Sequence, residues 1–164
     1  MATTHDLFVG ILASATLSAS GETVQSDVVE DMLNRLDSDG DLDSQIERSL
    51  LTKKKKAGDF GMEIVGSLLI PVLIEASKGL WAAYLKKISE KAGAQLAELT
   101  YAQVAKLVNW LWTGEERSQA EIDFDRLLRV AGSRHGLSPE QVEALVIAVR
   151  SPEMKAAIDA QVEK

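Results

Sequence analysis

The chain has 164 residues, of which 46% are hydrophobic, and its formal net charge at pH 7 is −7. This length and apolar content predict one globular domain with a sizeable core and exclude a disordered chain. Because cysteine is absent, a disulfide framework and thiolate metal sites are excluded, and we expect a cytoplasmic protein. Asp6 precedes the first apolar run, so we expect no cleaved signal peptide.

Charge is distributed unevenly along the chain. Residues 1–52 carry 2 basic and 10 acidic side chains, residues 53–91 carry 8 and 4, and residues 92–164 carry 8 and 11. The acidic N-terminal part and the basic centre can neutralise each other within the fold or between copies of the chain. Overall acidity argues against nucleic-acid binding, for which a domain normally presents a net basic face.

Apolar residues recur at helical spacing in almost every segment, and the strict alternation of strands is absent. In the acidic part, helices are predicted over Thr4 to Ala19, Val24 to Leu36 and Asp43 to about Lys56. Ser44 and Glu47 have the spacing of a capping box at the start of the third helix.

The loop before that third helix is rich in turn-forming and acidic residues: Asp37, Asp39, Gly40, Asp41 and Asp43. An EF-hand calcium loop requires glycine at its sixth position and glutamate at its twelfth, whereas this sequence has Leu42 and Arg48 there. We therefore predict a turn whose aspartates cap the next helix. A weak surface cation site is the alternative.

The central element consists of four lysines, Lys53, Lys54, Lys55 and Lys56, followed by a long apolar helix from Phe60 to Lys91. The apolar residues from Ile64 to Ile74 cover most of a helical circumference, which predicts a helix surrounded by other helices. A straight helix of this length would span about 48 Å, longer than a compact chain of this size, so we predict a kink near Pro71.

A membrane role is the alternative interpretation of this element, but it is not favoured. The uninterrupted apolar run gives only about 16 Å of helix against a hydrocarbon core of about 30 Å, and longer windows include Glu75 and Lys78. In the membrane interpretation, Lys53 to Lys56 would be attracted to an anionic leaflet, and Trp81 and Tyr84 would lie at the interface.

Four helices are predicted after Gly93: Leu96 to Trp112, Glu115 to Arg134, a helix capped by Ser138 and one capped by Ser151 and ending near Val162. Each serine is followed by proline, which suits the first helical position. Trp110 and Trp112 lie about 200° apart around their helix. We expect both in the core, with a partner contact as the alternative for either.

The sequence offers little catalytic chemistry. It contains no nucleophile elbow and no phosphate-binding loop, and its two histidines, His5 and His135, have no partner at metal-ligand spacing. We therefore predict a non-enzymatic protein without cofactor or metal.

The sequence as a whole predicts one all-α domain over residues 1–164, a bundle of about seven helices around the central element. The acidic helices occupy residues 1–52, the basic and apolar element 53–91, and the C-terminal helices 94–164. We expect a protein-interaction or assembly module that binds a protein partner or itself. The alternatives are a membrane-active effector using Lys53 to Leu85 and a small-ligand or hydrolytic site on the bundle. The residues expected to contact a partner or membrane are Lys53, Lys54, Lys55, Lys56, Trp81, Tyr84, Trp110 and Trp112.

Overall fold

The computed structural model describes residues 3–36, 38, 40–47, 62–93, 96, 99–114 and 117–163, with only the backbone described over 62–68. Within these ranges the chain forms helices and no strand, which confirms the predicted all-α bundle. The helices are α1 Thr4–Ala19, α2 Thr23–Asn34, α3 residues 42–47, α4 Met62–Ala92, α5 Tyr101–Thr113, α6 Arg117–His135, α7 Pro139–Arg150 and α8 Pro152–Val162.

Helix α1 is the most completely buried element of the bundle. Every residue from Leu7 to Leu17 is buried, and the helix contacts α2, α4, α5, α7 and α8. Its small residues permit this close packing. A Cβ atom added at Gly10, for example, would lie 2.3 Å from Cδ2 of Leu33 on α2. The hydroxyl-rich half of α1 can be buried because its polar groups have partners, as where Thr16 Oγ1 donates to the Leu12 carbonyl oxygen at 2.8 Å.

Helix α4, which the sequence placed at the centre, shares the core with α1. It packs against α6, α1 and α2, and most of its side chains over residues 69–80 are buried, as predicted for a surrounded helix: Leu69, Ile70, Val72, Leu73, Ile74, Ala76, Ser77 and Leu80. The helix is continuous through Pro71. The predicted kink stays a prediction.

Capping groups set the starts of α5 and α3, and both starts differ from the sequence predictions. Helix α5 begins at Tyr101 and not at Leu96, because Thr100 and Gln103 form a capping box. Helix α3 begins at residue 42, because Asp41 caps it: the Asp41 carboxylate accepts a hydrogen bond from the Ser44 backbone N–H at 2.8 Å. Ser44 therefore lies inside the helix and not at its N-cap. The predicted capping box of Ser44 and Glu47 was wrong.

The two Ser-Pro-Glu sequences open α7 and α8 in different ways. Ser138 Oγ accepts from the Gln141 N–H at 3.2 Å, and Gln141 Oε1 accepts from the Ser138 N–H at 2.8 Å. Ser151 makes no capping bond; its hydroxyl donates to the Ala148 carbonyl oxygen at 2.6 Å. The third helical residue of α8 is Met154, which is buried. Unlike Gln141 in α7, it has no side-chain oxygen to accept a hydrogen bond from the backbone N–H of the N-cap serine.

This difference predicts unequal effects of one substitution. Ser138→Ala is expected to lower the free energy of unfolding by about 0.5 to 2 kcal/mol, because an N-terminal N–H of α7 loses its acceptor. Ser151→Ala is the matched control, and its loss should be smaller because no N–H loses a cap. Urea unfolding of both variants measures the difference. Equal losses would contradict the assignment of capping to Ser138 alone.

Candidate functional sites

The four lysines Lys53 to Lys56 lie outside the described residues, so their contact with a membrane or partner stays a prediction. Trp81 and Tyr84 of α4 are described. The half-buried Trp81 ring packs edge-on against Phe8, with 5.2 Å between ring centroids. Tyr84 is buried, and its hydroxyl donates to Asp123 Oδ2 on α6 at 2.8 Å. These contacts join α4 to α1 and α6.

The two tryptophans of α5 lie in different environments, so the expectation that both lie in the core is confirmed for Trp112 and not for Trp110. Trp112 is buried, its ring meets that of Phe124 edge-on at 5.9 Å, and its Nε1 donates to the Val149 carbonyl oxygen at 3.2 Å. Trp110 is half-buried at the edge of the core, with Lys91 Nζ 5.9 Å from its ring centroid. Of the two, only Trp110 retains surface for a partner.

The acidic loop before α3 serves as a helix cap in its described part. The backbone hydrogen bond from Ser44 lowers the pKa of Asp41, so this carboxylate stabilises the fold above the ordinary pKa of aspartate and loses that effect as the pH falls. Asp43 forms an ion pair with Lys78 of α4. Asp37 and Asp39 lie outside the described residues. Among those that are described, no three acidic or histidine side chains form a group suited to a metal ion.

The structure also brings together a polar cluster that the sequence did not predict, formed by Ser14 of α1, Ser26 and Glu30 of α2, Tyr101 of α5 and Gln161 of α8. The hydroxyls of Ser14 and Ser26 are 2.9 Å apart. Gln161 Nε2 donates to Glu30 Oε1 at 3.0 Å, and the Tyr101 hydroxyl donates to Gln161 Oε1. The cluster thus links four helices through side chains.

Tyr101 is neutral in this cluster. Burial, and secondarily the charge of Glu30, raises the pKa of Tyr101 to about 12. The phenol therefore remains a hydrogen-bond donor at physiological pH, and it fixes the orientation of the Gln161 amide. The amide nitrogen of Gln161 is thereby directed toward Glu30.

A cavity of about 270 Å³ adjoins the polar cluster between the end of α1, the first half of α2 and α8. We call it the α2–α8 cavity. Its lining residues are Ser18, Thr23, Ser26, Asp27, Glu30, Ala157, Ala160 and Gln161. The only sequence signal for this region is the run of small and hydroxylated residues at the end of α1. That run did not indicate which helices would meet there.

Two further surfaces combine exposed apolar side chains with charge of one sign. The α2 face consists of Val24, Asp27 and Asp31, all exposed, with Val24 70% accessible. The second, the α6 face, consists of Ile122, Arg126 and Val130.

The three residues of the α6 face follow one another at four-residue spacing, and Ile122 and Val130 are 53% and 62% accessible. Residues four apart lie on one side of a helix, so each face is a continuous strip. Three of the five exposed large apolar residues in the described chain belong to these two faces.

Comparison with protein-family models found no match, and neither the curated proteins nor the solved structures gave a significant match. Within the described part of the chain, no helix combines the length and the apolar character needed to cross a bilayer.

Proposed function

We propose that the protein is a non-enzymatic assembly module that associates with further copies of itself, the α2 face of one copy binding the α6 face of the next. The observation that carries this proposal is the complementarity of the two faces. The α2 face presents the exposed Val24 beside the carboxylates of Asp27 and Asp31, and the α6 face presents the exposed Ile122 and Val130 beside the guanidinium of Arg126. Complementary charge selects and orients partners.

The charges on the two faces are held only weakly by their own copy. Arg126 Nη2 lies 3.7 Å from Asp123 Oδ1, and the Arg126 side chain is 69% accessible. Asp31 pairs with Arg35 one turn along α2, and both side chains are more than half accessible. Exposed pairs of this kind contribute at most about 1 kcal/mol each. A second copy can therefore replace them at little cost.

Arg129, which neighbours the α6 face, braces the helix and adds no free charge, because two carboxylates of the same copy pair with it. Its Nε donates to Asp125 Oδ1 at 2.5 Å and its Nη2 lies 2.9 Å from Glu143 Oε2 of α7. These two carboxylates raise the pKa of the Arg129 guanidinium. They also hold α6 against α7, so the α6 face is presented on a braced helix pair.

Two different surfaces that bind each other form a heterologous contact, which produces rings if it closes and filaments if it does not. The expected result for the wild-type chain is a mass that rises with protein concentration in light scattering coupled to size exclusion. It should fall toward the monomer mass in about 1 M salt, where the Debye length is about 3 Å. A wild-type chain that stays monomeric at low salt would overturn the proposal.

Charge reversal provides a sharper test. The α2 variant carries Asp27→Lys and Asp31→Lys, and the α6 variant carries Ile122→Glu and Arg126→Glu. Each variant alone presents two faces of like charge and should remain monomeric. An equimolar mixture should assemble, because the reversed α2 face complements the reversed α6 face.

The control variant exchanges charges away from both faces, with Lys106→Glu on α5 and Glu153→Lys on α8, both exposed positions. It should assemble like the wild type. If the α2 and α6 variants also assembled like the wild type, the faces assigned here would be wrong. Failure of the mixture alone would show that the two faces do not bind each other.

A further inference from the structure

Ile147 of α7 is an exposed apolar side chain that belongs to neither of the two faces. It is 63% accessible. It follows Glu143 by four residues and precedes Arg150 by three, so the three side chains lie on one side of α7. Glu143 Oε2 lies 2.9 Å from Nη2 of Arg129 on α6. Arg150 Nη2 lies 2.9 Å from Oδ2 of Asp125, also on α6. Ile147 is therefore on the side of α7 that borders α6.

A row of four charged side chains joins α6 to α7 beside Ile147. Asp125 occupies its centre, because Oδ1 accepts from Arg129 Nε at 2.5 Å and Oδ2 accepts from Arg150 Nη2 at 2.9 Å. Glu143 completes the row through Arg129. Two arginines and two carboxylates cancel, so the row adds no net charge to this surface.

The row lies between Ile147 and the α6 face. Arg129 directly precedes Val130 in α6, and Asp125 directly precedes Arg126. Packed helices leave a shallow groove between them. We call this one the α6–α7 groove: the α6 face forms one rim, Ile147 forms the other, and the charged row forms the floor.

The small size of the α6 face indicates that a stable contact extends beyond it. Ile122 and Val130 are eight residues apart, which gives a strip about 12 Å long and about 10 Å wide, roughly 120 Å². Specific interfaces bury about 800 Å² on each partner. Because α7 packs against α6 at a typical axial distance of about 8 to 10 Å, adding Ile147 nearly doubles the width of the surface.

Building on the assembly proposed above, we infer that the α6–α7 groove, and not the α6 face alone, receives helix α2 of the second copy. Arg126 on one rim pairs with the carboxylates of α2, and Ile147 on the other rim adds an apolar contact. The charges of the floor already pair with one another, so Arg126 determines the attraction of the acidic helix. Binding of a helix in a groove is a common mode of recognition.

Helix α2 has enough exposed surface to touch both rims. At 100° per residue its exposed positions cover about 100° of the circumference. These positions are Thr23, Val24, Asp27, Asp31 and Asn34.

The first test replaces Ile147 with serine, which removes the apolar contact without changing any charge. The concentration at which half of the chain is associated, measured by light scattering at low salt, should rise about tenfold. Ile147→Leu keeps an apolar side chain and should assemble like the wild type. Leu85→Ser is the matched control. Leu85 is 40% accessible and follows by four residues Trp81, which packs against α1.

The second test locates the bound helix. Because the chain has no cysteine, Ala144→Cys places a single nitroxide label on α7. Ala144 is exposed and about 100° around the helix from Glu143, so the label lies outside the groove. Mixed with an isotope-labelled wild-type chain, it should broaden the amide signals of residues 23–34. The same label at Lys106→Cys, exposed on α5, should leave those signals unchanged.

Three results would overturn the inference while the contact between the α2 and α6 faces stands. They are an Ile147→Ser chain that assembles like the wild type, equal losses for Ile147→Ser and Leu85→Ser, and an assembled chain in which the label on α7 leaves α2 unaffected. A wild-type chain that stays monomeric at low salt would overturn the proposed assembly and this inference with it.

Discussion

Replacing Trp112 with Ala is expected to lower the free energy of unfolding by about 3 to 5 kcal/mol, the largest effect we predict for a single substitution. The side chain is 1% accessible, and its removal leaves a cavity beside the ring of Phe124 on α6. The substitution also removes the hydrogen bond that the indole N–H donates to the Val149 carbonyl oxygen of α7. The cost therefore combines lost apolar contact with an unpaired polar group.

Trp110→Ala is the matched control, because it removes the same side chain two residues away from a half-buried position. Trp110→Ala should lower the free energy of unfolding clearly less, since much of the space that the side chain leaves is open to water. Thermal and urea unfolding of both variants give the comparison. A larger loss for Trp110→Ala would contradict the assignment of Trp112 to the core.

Leu69→Ala is expected to cost about 2 to 5 kcal/mol, through lost transfer energy and a residual cavity. Leu69 is 5% accessible and belongs to the main core cluster. Leu85→Ala on the same helix is the control. Leu85 is 40% accessible, and substitutions at exposed positions usually change stability by no more than about 0.5 kcal/mol.

The outcome at Leu69 also bears on the membrane alternative. If the Leu69 side chain contributes several kcal/mol to the free energy of unfolding, α4 is an integral part of the core. Moving α4 into a bilayer would then require the core to open. A loss below about 0.5 kcal/mol would instead indicate an exposed, lipid-directed side of α4. Urea unfolding measures the loss of stability, and repeating it with anionic vesicles tests whether lipid changes that loss.

Local signals in the sequence were enough to predict most of the helices. Residues Thr4 to Ala19 were predicted and observed as α1, and Ser138, Pro139 and Gln141 correctly marked the start of α7. These signals act over three or four residues, because a cap satisfies N–H groups in the first turn of its own helix. Where two signals competed, as between Leu96 and Thr100 at the start of α5, periodicity extended the helix too far.

The sequence therefore determined the helical class, the approximate bounds of the helices and the uneven charge along the chain, because each depends on neighbouring residues. Only the tertiary structure decided that α1 is the most buried helix, that Ser14, Glu30, Tyr101 and Gln161 meet in one cluster, and that Val24 and Ile122 remain exposed. Periodicity shows that a helix has an apolar side but not which helix covers it. The hydrogen bond between Ser14 and Gln161 joins residues 147 positions apart, and such contacts arise only from packing.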